Sequence, residues 1–129
     1  MGYISTVTGS LDFSRDLNQS EYDALYMALG QTSGGSEWPF SVDTSGIYAD
    51  ESDSGKYYHL EADLKILVNA LPSDVEVTGF IERIGEEWPD AQRFYVTGEH
   101  AVMAVRPRIE WTNPITNMIT EVIDFPKWS

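Results

Sequence analysis

The chain has 129 residues, a formal net charge of −13 and no cysteine. That length suits one domain whose core needs no covalent staples, and the missing cysteines exclude disulfides, thiolate metal sites and cysteine nucleophiles. With eight basic residues against 21 acidic ones, direct binding to DNA or RNA is not expected, because phosphates are neutralised by lysine and arginine.

Met1-Gly2-Tyr3-Ile4 has neither a basic region nor a long apolar run, so no signal peptide is expected. Met1-Gly2 with Thr6 fits a myristoylation start, but Tyr3-Ile4 reads better as the beginning of a strand. Residues 3–13 carry a period-two pattern, with Tyr3, Ser5, Val7, Gly9, Leu11 and Phe13 on one side and a mostly polar set on the other. Gly9 inside that pattern marks a bulge or a close backbone approach. Asn18-Gln19-Ser20-Glu21 then reads as a capping box opening a helix. Leu17 and Tyr22 fit a hydrophobic staple, Tyr22, Leu25, Tyr26 and Leu29 form the buried stripe, and Gly30 ends it.

Gln31-Thr32-Ser33-Gly34-Gly35-Ser36 lacks the lysine of a phosphate loop and reads as a connector. Residues 38–42 and 46–49 are predicted strands joined by an Asp43-Thr44-Ser45-Gly46 turn. Asp50, Ser52, Ser54, Gly55 and Glu61 fall at EF-hand positions, but serine replaces two early carboxylates and no helix enters the loop. An exposed acidic loop is the better reading, and no metal or cofactor is expected. Residues 56–71 form the second predicted helix, with Tyr57, Leu60, Leu64, Leu67, Val68 and Leu71 inward and Pro72 stopping it. His59 near its start reads as solvent-facing or packing.

Residues 75–111 are rich in β-branched and aromatic residues and read as a three-strand antiparallel meander: 75–84, 92–97 and 100–111. Gly98-Glu99 suits a tight turn, and His100 beside it is expected to be exposed. The faces of 75–84 are not cleanly apolar and polar, so the pattern leaves its covered side open. Four of the eight basic residues, Arg83, Arg93, Arg106 and Arg108, lie in this stretch. Pro107 places an edge or a bulge near its end. Thr112-Asn113-Pro114 signals a turn, and residues 118–125 are a possible tail strand that packs on the sheet or pairs with another copy through residues 118–128, which include Trp128.

Glu82, Glu86, Glu87 and Asp90 form the densest carboxylate group. Two carboxylates in different protonation states serve a hydrolase, but a charged hairpin turn is the plainer reading, with Arg83 and Arg93 available to pair across the strands. No serine lies in a Gly-x-Ser-x-Gly context, and two histidines supply transition-metal chemistry poorly.

The chain resembles a group of small uncharacterised proteins of tailed phages and actinobacterial genomes. The likeness rests on Met1-Gly2-Tyr3, on Thr8-Gly9, and on Gly79-Phe80-Ile81-Glu82-Arg83-Ile84-Gly85-Glu86-Glu87 followed by Asp90. It continues through Arg93-Phe94-Tyr95-Val96, the Val102-Met103-Ala104-Val105 strand and Ile109-Glu110-Trp111. It covers the opening residues and 75–111. The resemblance implies a phage or prophage origin, hence the cytoplasm of a host cell, and an α+β domain. It assigns no chemistry to any residue.

The expectation is one α+β domain over residues 1–129, a single antiparallel sheet of about five to seven strands with two helices packed on one face. Without a catalytic constellation, the leading functional expectation is a non-enzymatic protein that binds another protein, of host or phage. Its target is a nucleic-acid-handling or defence factor met through an acidic, phosphate-mimicking face of Asp50, Glu51, Asp53, Glu82, Glu86, Glu87 and Asp90. The alternatives are a self-assembling or virion-associated protein and a carboxylate-based hydrolase. No membrane contact is expected, because no apolar stretch is long enough to span a bilayer.

Overall fold

A computed structural model describes residues 5–32, 40–49, 54–55, 59–87 and 90–124. The elements are β1 (Ser5–Phe13), α1 (Gln19–Leu29), β2 (Phe40–Val42), β3 (Gly46–Ala49), β4 (Ser54–Gly55), α2 (Leu60–Asn69), β5 (Val77–Gly85), β6 (Ala91–Val96), β7 (Val102–Val105), β8 (Arg108–Thr112) and β9 (Ile119–Asp124). Seven strands make an antiparallel main sheet in the order β2-β3-β1-β5-β6-β7, with β4 also paired to β1. Leu25 and Ala28 of α1 and Leu60, Leu64, Leu67 and Val68 of α2 are buried with Val7, Leu11, Ile47, Ile81 and Phe94 of the sheet. The expected α+β fold, two helices on one face of a main sheet, is the observed one.

β1 lies in the middle of the sheet because its alternation gives it one buried side, apolar apart from Ser5. Val7 and Leu11 are fully buried, while Thr8 and Asp12 look away from the helices. β5 lies along its whole length, from Ser5 opposite Gly85 to Phe13 opposite Val77. The two backbones come unusually close at a pair of glycines. Gly9 (φ +108) and Gly79 (φ +91) both take conformations that side chains disfavour. A Cβ on Gly9 would stand 2.4 Å from the Phe80 carbonyl oxygen, and one on Gly79 2.5 Å from that of Ser10.

The capping box of α1 is present: the Glu21 amide donates to Asn18 Oδ1 and the Asn18 amide to Glu21 Oε1, each at 2.9 Å. Leu25 and Ala28 are buried, and Tyr22 and Leu29 are half-buried against the core. Tyr26 departs from the predicted stripe and is 60% exposed. The buried stripe is narrower than predicted: it runs through Leu25 and Ala28, with Tyr22 and Leu29 at its edges, and Tyr26 falls outside it.

Arg15 joins the start of α1 to the α2–β5 connection. Its guanidinium donates to both carboxylate oxygens of Glu21 (2.9 Å each) and both of Asp74 (2.9 and 3.0 Å). Those side-chain hydrogen bonds from Arg15 are the main reason both carboxyls sit below their ordinary values of 4.5 and 3.8. A carboxyl depressed by folding adds stability at pH above its unfolded value and loses it as pH falls through the folded one. The thermal midpoint is therefore expected to drop on acidification below about pH 4.5. Arg15→Gln is expected to flatten that drop in a pH series of melts followed by circular dichroism. The pair is exposed, so added salt reduces the difference.

Asp43 closes the predicted β2–β3 turn by accepting from the Ser45 and Gly46 amides at 2.7 and 3.0 Å. Desolvation pulls its carboxyl upward, but these bonds together with the Ser45 hydroxyl hold it below the ordinary value.

Five expectations are corrected. α2 opens at Leu60, after a His59 that makes no side-chain cap bond; residues 56–58, like Trp38, lie outside the described residues. The β6–β7 turn spans residues 97–101, not two residues, and His100 (φ +60) takes the left-handed position instead of Gly98. Thr97 Oγ1 accepts from the Glu99 and Ala101 amides to fix that loop. His100 is half-buried, with its Nε2 on the Val75 carbonyl oxygen, where the sequence predicts exposure. The predicted strand over 100–111 is two strands. β7 stops at Val105, and Arg106-Pro107 take the chain off the sheet, since Pro107 has no N–H for the ladder. The tail strand exists as β9, but its partner is β8, in a separate two-stranded sheet. Residues 125–129, with Trp128, lie outside the described residues.

Candidate functional site

Of the seven acidic residues expected to form a partner surface, Asp50, Glu51 and Asp53 lie outside the described residues. The calcium-loop alignment also loses its geometry, because Ser54 and Gly55 are drawn into β4 against β1. Glu82, Glu86, Glu87 and Asp90 are not gathered into one cluster. Alternation along β5 sends Glu82 and Arg83 to opposite faces. On the bare face, Arg93 Nε donates to Glu82 Oε2 at 2.7 Å. On the helix-covered face, the buried Arg83 guanidinium pairs with Asp90 Oδ1 at 2.6 Å. It also donates to Ser5 Oγ and Gln92 Oε1, both at 3.0 Å. Glu86 and Glu87 are exposed just beyond β5. Both arginines thus take the cross-strand role predicted for them.

This arrangement limits the chemistry. Glu82 and Asp90 are divided between two faces and each is neutralised by an arginine, so they cannot flank a common bond as an acid and a base. Among the described residues no group of three His, Asp or Glu side chains is placed to hold a metal ion, and no helix is long and apolar enough to cross a membrane.

The surface that stands out is the sheet face opposite the helices. Ile84 and Val105 are 40% and 43% exposed, and Tyr95 and Met103 lie exposed on the same side. The register explains the clustering: Tyr95 faces Met103 across β6–β7, and Arg93 faces both Glu82 and Val105. The Arg93 guanidinium lies 4.4 Å from the centroid of the Phe80 ring, and the Phe80 and Tyr95 rings are 5.4 Å apart. Such a stack combines cation–π attraction with an apolar floor. Hydrogen bonds to Glu82 first, and to Tyr95 next, hold Arg93 more firmly protonated than an ordinary arginine.

Beside this stack runs a groove of about 540 Å³. Ile84, Ala91, Tyr95, Val105 and Pro107 give it apolar walls, and Glu82, Gln92, Arg93, Arg106 and Arg108 give it a polar rim. The one sequence signal for it is the irregularity of β5, where Phe80 and Ile84 interrupt an otherwise polar side. That irregularity leaves the covered face undecided only while the position of the helices is unknown.

Out of the groove's edge rises the β8–β9 hairpin. Asn113 builds its turn: Asn113 Oδ1 accepts from the Ile115 and Thr116 amides, and Asn117 (φ +59) closes it with a bond to the Asn113 carbonyl. The Thr112-Asn113-Pro114 turn is therefore where the sequence puts it. Trp111, Ile115, Met118, Ile119 and Val122 are all exposed on the hairpin, Ile115 to 91%. No protein-family model, curated protein or solved structure matches the chain.

Proposed function

We infer that this chain acts by binding another protein, and that the bare sheet face with its hairpin is the contact surface. The observation that carries the reading is the one-sided cover of the sheet. Helices bury one face, while Ile84, Tyr95, Met103 and Val105 are left together on the other. Contiguous exposed apolar surface marks interaction sites. Aromatic residues, methionine and arginine, which meet here, are the residue types enriched in interfaces.

The net charge of −13 and the exposed Glu86 and Glu87 favour a second reading, contact with a basic partner that ordinarily holds nucleic-acid phosphates. The resemblance to phage proteins makes a host factor in the cytoplasm the natural target in either case. A self-assembling or virion role uses the same apolar surface with another copy as the partner.

Affinity capture from host lysate across a salt series separates the readings. A partner held by the bare face is expected to stay bound as salt rises and to be lost with Tyr95→Asp. A partner held by charge is released by salt, because exposed charge contacts are screened, and is indifferent to Tyr95→Asp. Recovery of the protein with no other protein and no second copy of itself would overturn the inference.

A further inference from the structure

We propose that two copies of this chain pair through the outer edge of β7, antiparallel across a two-fold axis, so that their main sheets join into one. The edge is a different surface from the bare sheet face. The inference therefore goes beyond the protein-binding reading and does not rest on it.

The ladder pattern determines what this edge offers. β6 and β7 are antiparallel, with Tyr95 opposite Met103 and Arg93 opposite Val105. The Thr97 amide donates to the Ala101 carbonyl oxygen at 2.9 Å, so these two form a hydrogen-bonded pair. Such pairs recur at every second residue, and Met103 and Val105 therefore turn their backbone groups towards β6. Val102 and Ala104 turn theirs outward, where β7 has no neighbouring strand among the described residues. A row of outward amides and carbonyls is the complement of another extended strand. Edges are ordinarily blunted by lysine, proline or a bulge. Within Val102–Val105 there is none of these, and the strand pairs with β6 without a register shift.

A second β7 is the strand that fits. With Val102 opposite Ala104 of the other copy, and Ala104 opposite its Val102, every outward backbone group is used within four residues. Sliding the pair by two residues sets one outward residue against itself and pushes the other past the end of the strand, into the 97–101 loop or onto Arg106. The two-fold register is thus the self-complementary one that a symmetric dimer requires. It sets Met103 against Met103 of the other copy, and Val105 against Ala101. All three side chains are exposed in the single chain, and the pairing removes apolar surface from water. Residues 101–105 contain no acid, so like charges do not meet across the contact. The net charge of −13 opposes association only at longer range, where salt screens it. Added sodium chloride is therefore expected to tighten the dimer.

Sedimentation velocity on the full chain and cysteine cross-linking test the pairing together. The wild type is expected to dimerise with a dissociation constant on the order of 100 µM, as suits a small contact. Ala104→Pro removes an outward amide that bonds to nothing among the described residues. It is expected to raise the dissociation constant about tenfold or more while leaving the thermal midpoint near that of the wild type. The natural chain has no cysteine, so a single introduced thiol reports on its own position. In the proposed register the two Met103 Cα atoms stand about 4.5 Å apart, within reach of a disulfide. The two Val105 positions are offset by four residues, about 13 Å at about 3.3 Å per residue, beyond that reach. Under mild oxidation Met103→Cys is expected to form covalent dimers about tenfold or more faster than Val105→Cys. Both cysteine variants keep every backbone amide, so they decide the matter even if Ala104→Pro does not fold. Equal cross-linking of the two, or faster cross-linking of Val105→Cys, would overturn the register. A wild type that stays monomeric up to about 1 mM would overturn the pairing. Species growing beyond the dimer would replace it with open-ended contact between the β7 and β2 edges. None of these results bears on the protein-binding reading, which stands or falls with the capture experiment and Tyr95→Asp.

Discussion

Truncating Asp90 to alanine is expected to destabilise the protein by about 3–5 kcal/mol, the usual effect of stranding one half of a buried ion pair. Arg83 is buried at 9% side-chain exposure and Asp90 at 11%, and their 2.6 Å contact is reinforced by Ser5 and Gln92. With Asp90 gone, the buried guanidinium keeps two neutral acceptors, Ser5 and Gln92, among the described residues. A loss of that size is a large part of the roughly 5–15 kcal/mol that holds a typical domain together. The double variant Arg83→Met, Asp90→Ala is expected to recover much of the loss, because an apolar chain of similar length needs no counter-charge. Urea titrations of the wild type and the variants measure this through their midpoints. A midpoint for Asp90→Ala close to that of the wild type would show that Arg83 reaches water.

Gly9→Ala is the second large effect. The positive φ alone costs a side chain about 1–3 kcal/mol. The 2.4 Å approach to the Phe80 carbonyl adds overpacking of about 1–3 kcal/mol, since backbone and not a flexible side chain must give way. The damage falls on the β1–β5 pairing that supports both neighbours in the sheet. Gly98→Ala is the control. Nothing lies within 4 Å of a Cβ there, so its effect is expected within about 0.5 kcal/mol of zero. Thermal melts of the two variants give the comparison directly.

Local physics made much of the architecture readable. β1, the Asn18–Glu21 capping box, the Asp43 turn and the Arg83 and Arg93 pairings each depend on residues whose spacing determines their contacts. The same alternation that predicts strand β5 also dictates that Glu82 and Arg83 diverge, so the division of the carboxylates was present in the spacing. The break at Pro107 was legible as an edge, but not the destination of the chain beyond it. Residues 108–112 have the composition of a sheet strand, and only competition for a partner sends them to β9. His100 was misplaced because its ring meets the Val75 carbonyl 25 positions away in sequence, a contact the local pattern of the Thr97 loop does not show. The bare face was hidden for a similar reason: apolar residues on both sides of β5 look alike until the helices choose one.

The central place of β1 has a consequence for how the protein is made. Ser5 and Arg83 meet across 78 positions of sequence, so the middle of the sheet is its least local part. Such topologies fold on the order of milliseconds to seconds once the whole chain is present. On the ribosome, at roughly 5–20 residues per second, β1 waits roughly 4–14 s after its own synthesis for β5 to be completed. During that wait Val7 and Leu11 have no core to enter. Gly9 between them, a weak strand residue, lowers the tendency of the nascent segment to pair with another chain before β5 arrives.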